Sequence, residues 1–218
     1  SKDACYGTVG PMIQGVKVKI NHEDGMREGE GEILVKGANV MLGYYNKPDE
    51  TKKVIDNNGW FHTGDIGTLI EGKYLKITDR KKEIFKTSWV KYIAPQVMEN
   101  KFKQSIFIEQ LMVLGENEKH PAAFIVPDFA FLKDWCKDNK INFSSPEEIV
   151  RNPKVLELFD KEVKKYNEYF SHYEQIKKFI LLGNSWSPDG GELTATLKLK
   201  RRNILEKYSD LYLKIFEK

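Results

Sequence analysis

The sequence predicts an α+β protein built as two successive blocks. Three observations lead to this. Short apolar–polar alternations fill residues 1 to 79, apolar stripes at helical spacing recur after residue 80, and the composition shifts where the two meet. Alternation at period two is the mark of a half-buried strand, and recurrence at three and four residues is that of a helix with one buried face. The expected division is therefore a β-rich block over 1–79 and a small α+β block over 80–218.

In the first block, Val16-Lys17-Val18-Lys19-Ile20 alternates as a strand should, and Glu32-Ile33-Leu34-Val35-Lys36 reads as a second strand. Glu23-Asp24-Gly25 is a turn signal, and glycines at 7, 10, 15, 25, 29, 31, 37 and 43 cut the block into short elements. Pro48 opens a short helix that runs to about Asp56, because proline suits the first helical turn. Asn57-Asn58-Gly59 ends it. Tyr74-Leu75-Lys76-Ile77 is one arm of a hairpin that turns at Glu71-Gly72-Lys73.

In the second block, Pro95 starts a helix that sets Val97, Met98 and Phe102 near one face. Ile108–Leu114 and Ala122–Val126 read as strands joined by a polar turn. Asp128 is the expected N-cap of a helix carrying Phe129, Leu132, Trp135 and Cys136 on one side. Pro153 begins another helix, striped by Val155, Leu156, Phe159, Val163, Tyr166 and Phe170. Lys178–Leu182 is a strand. A last helix is expected from about Lys198, striped by Ile204, Leu205, Tyr208, Leu211 and Ile215.

Composition narrows the functional classes. The 218 residues are 40% hydrophobic and 31% charged, enough for a buried core in one large or two small domains. A net charge of +3 is too small to argue for a nucleic-acid partner. Acids at Glu192, Glu206 and Asp210 flank the basic run Lys198–Arg202, which argues against a broad basic patch there. Cys5 and Cys136 stand far apart, as in a reduced, cytoplasmic-type protein, and the four histidines show no metal-ligand spacing. No apolar run approaches the roughly 20 residues that span a bilayer, and no signal peptide is visible. The start at Ser1, without methionine, is what a piece of a longer protein would show.

Three stretches could carry chemistry. Ile77–Pro95 holds Arg80, Lys81, Lys82, Lys86 and Lys91 between two apolar patterns, as a solvated loop, an anion site or a hinge would. Thr63-Gly64-Asp65 places a carboxylate beside a glycine. An Asp after a Gly is usually a turn former, and the pair also suits a carboxylate accepting from both hydroxyls of a ribose. Arg80 could join it as a fixed donor, or form a surface ion pair with Asp79 or Glu83. Ser187–Arg202 sets a glycine-containing loop before Lys198, Lys200, Arg201 and Arg202. A lysine at such a tip attracts a phosphoryl oxygen by roughly 4 kcal/mol at about 4 Å, before desolvation. The alternative is a solvated helix face.

Order and spacing together carry more. The stretches GEILVKGANVMLGYYNKPDET, GWFHTGDIG, ITDRKKEIFKTSWVKYIAPQ and GELTATLKLKRR resemble, in that order, the C-terminal third of the adenylate-forming (AMP-binding) enzymes. The nearest likeness is to long-chain fatty acyl-CoA synthetases, and it covers essentially the whole chain. It implies a barrel-like β-rich subdomain closing a large AMP-binding domain, then a mobile C-terminal domain with a central sheet flanked by helices. It implies ATP-dependent, AMP-forming activation of a fatty acid to acyl-AMP, followed by thioester formation with CoA. By the same resemblance Asp65 binds the ribose and Arg80 assists. Lys82 is the hinge, and Lys198 bridges the carboxylate and α-phosphate. Lys86, Ser88, Trp89 and Lys91 line the phosphate or CoA region.

Partners implied are fatty acid, ATP, CoA and an upstream AMP-binding domain of the same chain. Mg²⁺ would be liganded outside these residues, and peripheral membrane association of the parent enzyme is a further implication. Two departures stand out. The pattern has serine, two glycines and lysine where this chain has Ser88-Trp89-Val90-Lys91, so Trp89 is expected to obstruct the thioester step more than adenylation. Ala195 replaces a proline before the key lysine. The phosphate loop and acyl pocket are not in these residues, so the chain alone is expected to be inactive. The alternative is a non-catalytic binding or regulatory module derived from the same family.

Overall fold

The computed structural model describes residues 4–217 and bears out the α+β class. The chain divides into two compact units. One comprises the described residues up to Phe85 together with Val90–Gln96, and the other comprises Lys86–Trp89 and the described chain from Val97 onward.

The first unit is organised on an antiparallel sheet of β1 (Lys17–Asn21), β2 (Gly31–Lys36), β3 (Phe61–Ile70) and β4 (Tyr74–Arg80), in that spatial order. Helix α1 (Pro48–Val54) lies between β2 and β3 in sequence. Among the described residues β1 and β4 are the outermost strands, with residues 9–11 bridging only the start of β4, so the sheet does not close into the barrel-like form that was expected. The core strand is β2, where Gly31, Glu32, Ile33 and Leu34 are all buried. The β3–β4 hairpin turns through Glu71 and Gly72, both with positive φ, as the turn signal predicts. Its register shifts between Ile66 and Gly67. A Cβ at Gly67 would overlap the carbonyl oxygen of Lys76, so only glycine fits at that bulge. The shift matters because it fixes Asp65 opposite Arg80.

The strands β5 (Phe85–Lys86) and β6 (Tyr92–Ile93) form a short two-stranded sheet, which the sequence did not announce. Helix α2 (Pro95–Phe102) comes next. In the second unit β7 (Ile108–Leu114) pairs antiparallel with β8 (Ala122–Pro127), and β8 pairs parallel with β9 (Lys178–Leu181). The crossover between the parallel strands carries α3 (Phe129–Asp138), α4 (Pro146–Ile149) and α5 (Pro153–Asn167). All of β8 is buried. Met112, Leu114, Ala122, Phe124 and Val126 pack on one side with Leu182, Trp186, Leu193, Ile204 and Ile215. The stripe of α5 buries Val155, Phe159, Val163 and Tyr166, while Leu156 is 40% exposed and leaves the expected face. Asp128 caps α3 as expected, accepting from the amides of Ala130 and Phe131.

The C-terminal helix starts later than its stripe suggests. It begins at Arg201, not Lys198, and splits into α6 (Arg201–Lys207) and α7 (Ser209–Phe216). The reason is local. Leu193 and Leu199 bridge as an antiparallel pair, and Leu197 between them has φ +59°. The chain therefore closes a small hairpin before any helical turn can form.

Candidate functional site

The first group of predicted residues lies at the end of the β3–β4 hairpin. The hydroxyl of Thr63 donates to the Ile33 carbonyl at 2.8 Å and accepts the Asp65 amide at 3.1 Å. The Lys81 amide donates to the Gly64 carbonyl at 2.8 Å. Gly64 has φ +73°, and a Cβ there would meet nothing within 4 Å, so its need for glycine is conformational and its surroundings are open. This backbone holds the Asp65 carboxylate with 23% of its side chain exposed. Arg80 Nε approaches its Oδ1 at 2.8 Å, with the arginine 61% exposed. Of the alternatives for Arg80, the structure selects neither Asp79 nor Glu83 but Asp65. Asp79 is buried and accepts the amides of Arg80 and Gln96. The result is a fixed carboxylate and a planar donor side by side next to an open glycine, which fits a vicinal diol such as that of a ribose.

Lys82 is exposed in the turn that leaves β4, where the amides of Glu83 and Ile84 both donate to the Arg80 carbonyl. Beside it, Lys81 makes a network that sequence reasoning missed. Its Nζ lies 2.6 Å from Glu23 and 2.9 Å from Glu32, and His62 lies 3.1 Å from Glu32. Burial alone would raise the Glu32 carboxyl, but the bonds from His62 and Lys81 outweigh it and hold that group below its ordinary value. Lys81 is raised: desolvation opposes its charge, and the two carboxylates more than compensate. No sequence signal distinguishes this buried glutamate from an outward-facing one on an alternating strand.

The segment with the unusual sequence lies just beyond. The Ser88 amide donates to the Glu118 carbonyl at 2.9 Å, and the Asn117 amide to the Lys86 carbonyl at 2.8 Å, so Lys86–Ser88 is tied to the turn after β7. Lys86, Ser88 and Lys91 are exposed, Trp89 is 72% exposed and Val90 61% exposed. Val90 has φ +58°, the left-handed region that disfavours a β-branched residue. A glycine pattern thus persists in the backbone where the side chain is valine.

Lys198 belongs to the second unit. It is exposed on the Leu193–Leu199 hairpin, and its ammonium makes no bond to another described residue. The hairpin closes with the Thr194 amide on the Lys198 carbonyl at 2.8 Å and the Lys198 amide on the Thr194 hydroxyl at 3.0 Å. It is also anchored at both ends. Buried Glu192 pairs with Lys207 at 2.5 Å, while buried Glu99 takes both terminal nitrogens of Arg201 at 2.8 and 2.7 Å. The basic run is therefore not one solvated helix face: Arg201 is clamped, Arg202 pairs with Glu206 at 2.8 Å, and Lys198 stands apart on the hairpin. Among the described residues no cluster of three or more His, Cys, Asp or Glu could hold a metal ion. No described helix is long and apolar enough to cross a membrane.

No protein-family model matches the chain. It is 34% identical over 209 residues to a putative fatty-acid–CoA ligase, FadD11, of Mycobacterium tuberculosis, covering 95% of this chain and 35% of that protein. It is 39% identical over 177 residues to human long-chain-fatty-acid–CoA ligase 1, covering 80% of this chain and 25% of that protein. The chain spans about a third of the length of the first of these relatives. Among solved structures it resembles the adenylation domain of a carboxylate reductase from Mycobacterium chelonae. There the TM-score is 0.71 at 21% identity, covering 98% of this chain and 34% of that one. It also resembles the Bacillus subtilis O-succinylbenzoate coenzyme A synthetase solved with ATP and magnesium, with a TM-score of 0.59 at 24% identity over 90% of this chain and 35% of that one. At these identities the structural likeness establishes the fold.

Proposed function

Starting from the chain's homology to part of the long-chain fatty-acid–CoA ligases, in the adenylate-forming superfamily, we propose that it supplies the nucleotide-closing and acid-activating residues of such a ligase. In the first half-reaction a fatty-acid carboxylate oxygen attacks the α-phosphorus of ATP, and pyrophosphate leaves. Asp65 accepts from the two ribose hydroxyls, and Arg80 holds that carboxylate while offering donors to the nucleotide. Lys198 places an ammonium between the entering carboxylate and the α-phosphate, neutralising charge that builds on phosphorus. In the second half-reaction the CoA sulfur attacks the acyl carbon and AMP leaves. Lys86, Ser88, Trp89 and Lys91 belong to that step. Lys82, in the turn leaving β4, is the pivot, and the functional division between the large domain and the mobile domain falls near residue 80.

The observation that carries this reading is Lys198: an exposed cation without a partner among the described residues, on a hairpin closed by backbone bonds and anchored by two buried carboxylates. A lysine that served only solubility would need no such support. Mg²⁺ and the triphosphate are held elsewhere in the parent enzyme. The chain alone then has no adenylating activity, and any membrane attachment is peripheral.

The test is fatty-acid- and ATP-dependent hydroxamate formation by a full-length enzyme carrying this chain. Lys198→Ala should lower the rate by about 10²–10³-fold, the usual scale for removing one preorganised charge donor. Conversion of supplied acyl-AMP to acyl-CoA should change much less. Wild-type adenylation by Lys198→Ala, or robust turnover by the isolated 218 residues, would overturn the proposal.

A further inference from the structure

Helix α6 has no side-chain N-cap: Lys200 occupies that position and makes no capping bond. Its first residue is held instead by tertiary contacts. Arg201 reaches back 102 positions to Glu99 on α2, with Nη1 on Oε1 and Nη2 on Oε2. Oε1 also accepts the Val113 amide at 2.8 Å. Val113 lies on β7, an edge of the three-stranded sheet, so this amide turns away from β8 and would otherwise have no strand partner. Glu99 has 5% of its side chain exposed and Arg201 20%. The carboxylate thus joins the sheet edge to the start of α6, three residues after Lys198.

We infer that Glu99 is a positioning residue for Lys198, acting through Arg201 to set where the Leu193–Leu199 hairpin presents its ammonium. The inference rests on the role proposed for Lys198 and deepens it. The chain of contacts is continuous. The Val113 amide fixes Glu99, and Glu99 fixes both nitrogens of Arg201 in one plane. Arg201 follows Lys200, whose amide donates to the Glu192 carbonyl at 2.7 Å across the base of the hairpin. A bidentate arginine–carboxylate pair defines orientation as well as distance, which a single contact does not. Tip residues Ala195 and Thr196 are exposed and give the hairpin no packing of its own, so its aim depends on its base. Burial raises the Glu99 carboxyl above the usual carboxylate range, against the pull of Arg201, so the pair has been kept despite a cost in desolvation. Such a pair is better explained by orientation than by stability.

Glu99→Gln keeps the volume and an acceptor for Val113 but loses the two-point charge clamp. Arg201→Lys keeps the charge and loses the plane. In the full-length enzyme each should lower kcat for adenylate formation by about 10–100-fold, the scale of a sub-ångström to 1 Å misplacement of a reacting group. KM for ATP should stay within about threefold, since Asp65 and Arg80 are untouched, and the double variant should be no worse than the poorer single one. Conversion of supplied acyl-AMP to acyl-CoA should be unchanged. Amide exchange measured on the 218-residue chain should speed up at Thr194, Lys198 and Lys200 in both variants while β8 stays protected. Wild-type kcat in both variants, or unchanged exchange in the hairpin, would overturn the inference. So would equal losses in the two half-reactions, which mark a merely structural role. Lys198→Ala run alongside separates the two ideas. If it adenylates normally the proposed role of Lys198 has failed, whereas if it is inactive and Glu99→Gln is not, only the positioning role has failed.

Discussion

Arg80 Nε sits 2.8 Å from Asp65 Oδ1 because the β3–β4 register sets the two residues opposite each other. The bulge at Ile66/Gly67 is what produces that register. Asp65→Asn should therefore weaken nucleotide binding without unfolding the sheet. A hydrogen bond to a charged group contributes about 1.5–3 kcal/mol, so KM for ATP should rise roughly 10–150-fold. Arg80→Lys should show a smaller rise, since it keeps the charge but loses the planar donor. Titration of AMP or ATP against a full-length enzyme carrying each variant measures both.

Val90 occupies left-handed backbone at φ +58°. Replacing it with glycine removes about 1–2 kcal/mol of steric cost, partly offset by glycine's freedom in the unfolded chain. Val90→Gly should stabilise by about 1 kcal/mol net, raising Tm by roughly 2–4 °C. Val90→Ala should gain less. Thermal unfolding followed by circular dichroism checks the order.

Trp89 is 72% exposed, so its removal costs no core packing. If its indole narrows the path of the pantetheine arm, Trp89→Gly should speed conversion of supplied acyl-AMP to acyl-CoA several-fold and leave hydroxamate formation unchanged. Equal rates for the two half-reactions in the wild-type enzyme would refute the obstruction.

The Lys81–Glu32–His62 network makes the first unit acid-sensitive. Glu32 is held below its ordinary value of 4.5, so its charge stabilises the fold above that pH. That contribution is lost as pH falls from 4.5 through the lower folded value. Lys81→Met leaves Glu32 with 5% of its side chain exposed and only His62 beside it. The variant should lose about 1–3 kcal/mol near neutral pH, and its acid-unfolding midpoint should move to higher pH. Acid titrations of the two proteins by tryptophan fluorescence make the comparison.

Much of this architecture could be read from local pattern. Ile108–Leu114 was recovered at its observed bounds, and Asp128 caps α3 as its position predicts. Proline marked the starts of α1, α2 and α5 because its fixed φ suits a first turn. The failures share a cause, which is dependence on distant partners. The stripe from Ile204 to Ile215 predicted a helix, but not that the Leu193–Leu199 pairing would delay it to Arg201. Nothing local marks Glu32 and Glu99 as buried, because the groups that satisfy them lie 14 to 102 positions away. The Asp65–Arg80 pairing was only one of several options until the bulge fixed the register.

The parallel pairing of β8 with β9 has a consequence for biosynthesis. Between Pro127 and Lys178 the ribosome must deliver three helices before β8 gains its second neighbour. Until then one edge of a wholly apolar strand, Ala-Ala-Phe-Ile-Val-Pro, stays open to other nascent chains. The hairpin bearing Lys198 emerges later still, with α6 and α7 behind it to cover Phe124 and Val126. A premature stop after α5 would thus do more than delete the hairpin that carries Lys198. It would release a sticky polypeptide that chaperones must hold, so that such alleles behave as aggregation lesions rather than simple losses of activity.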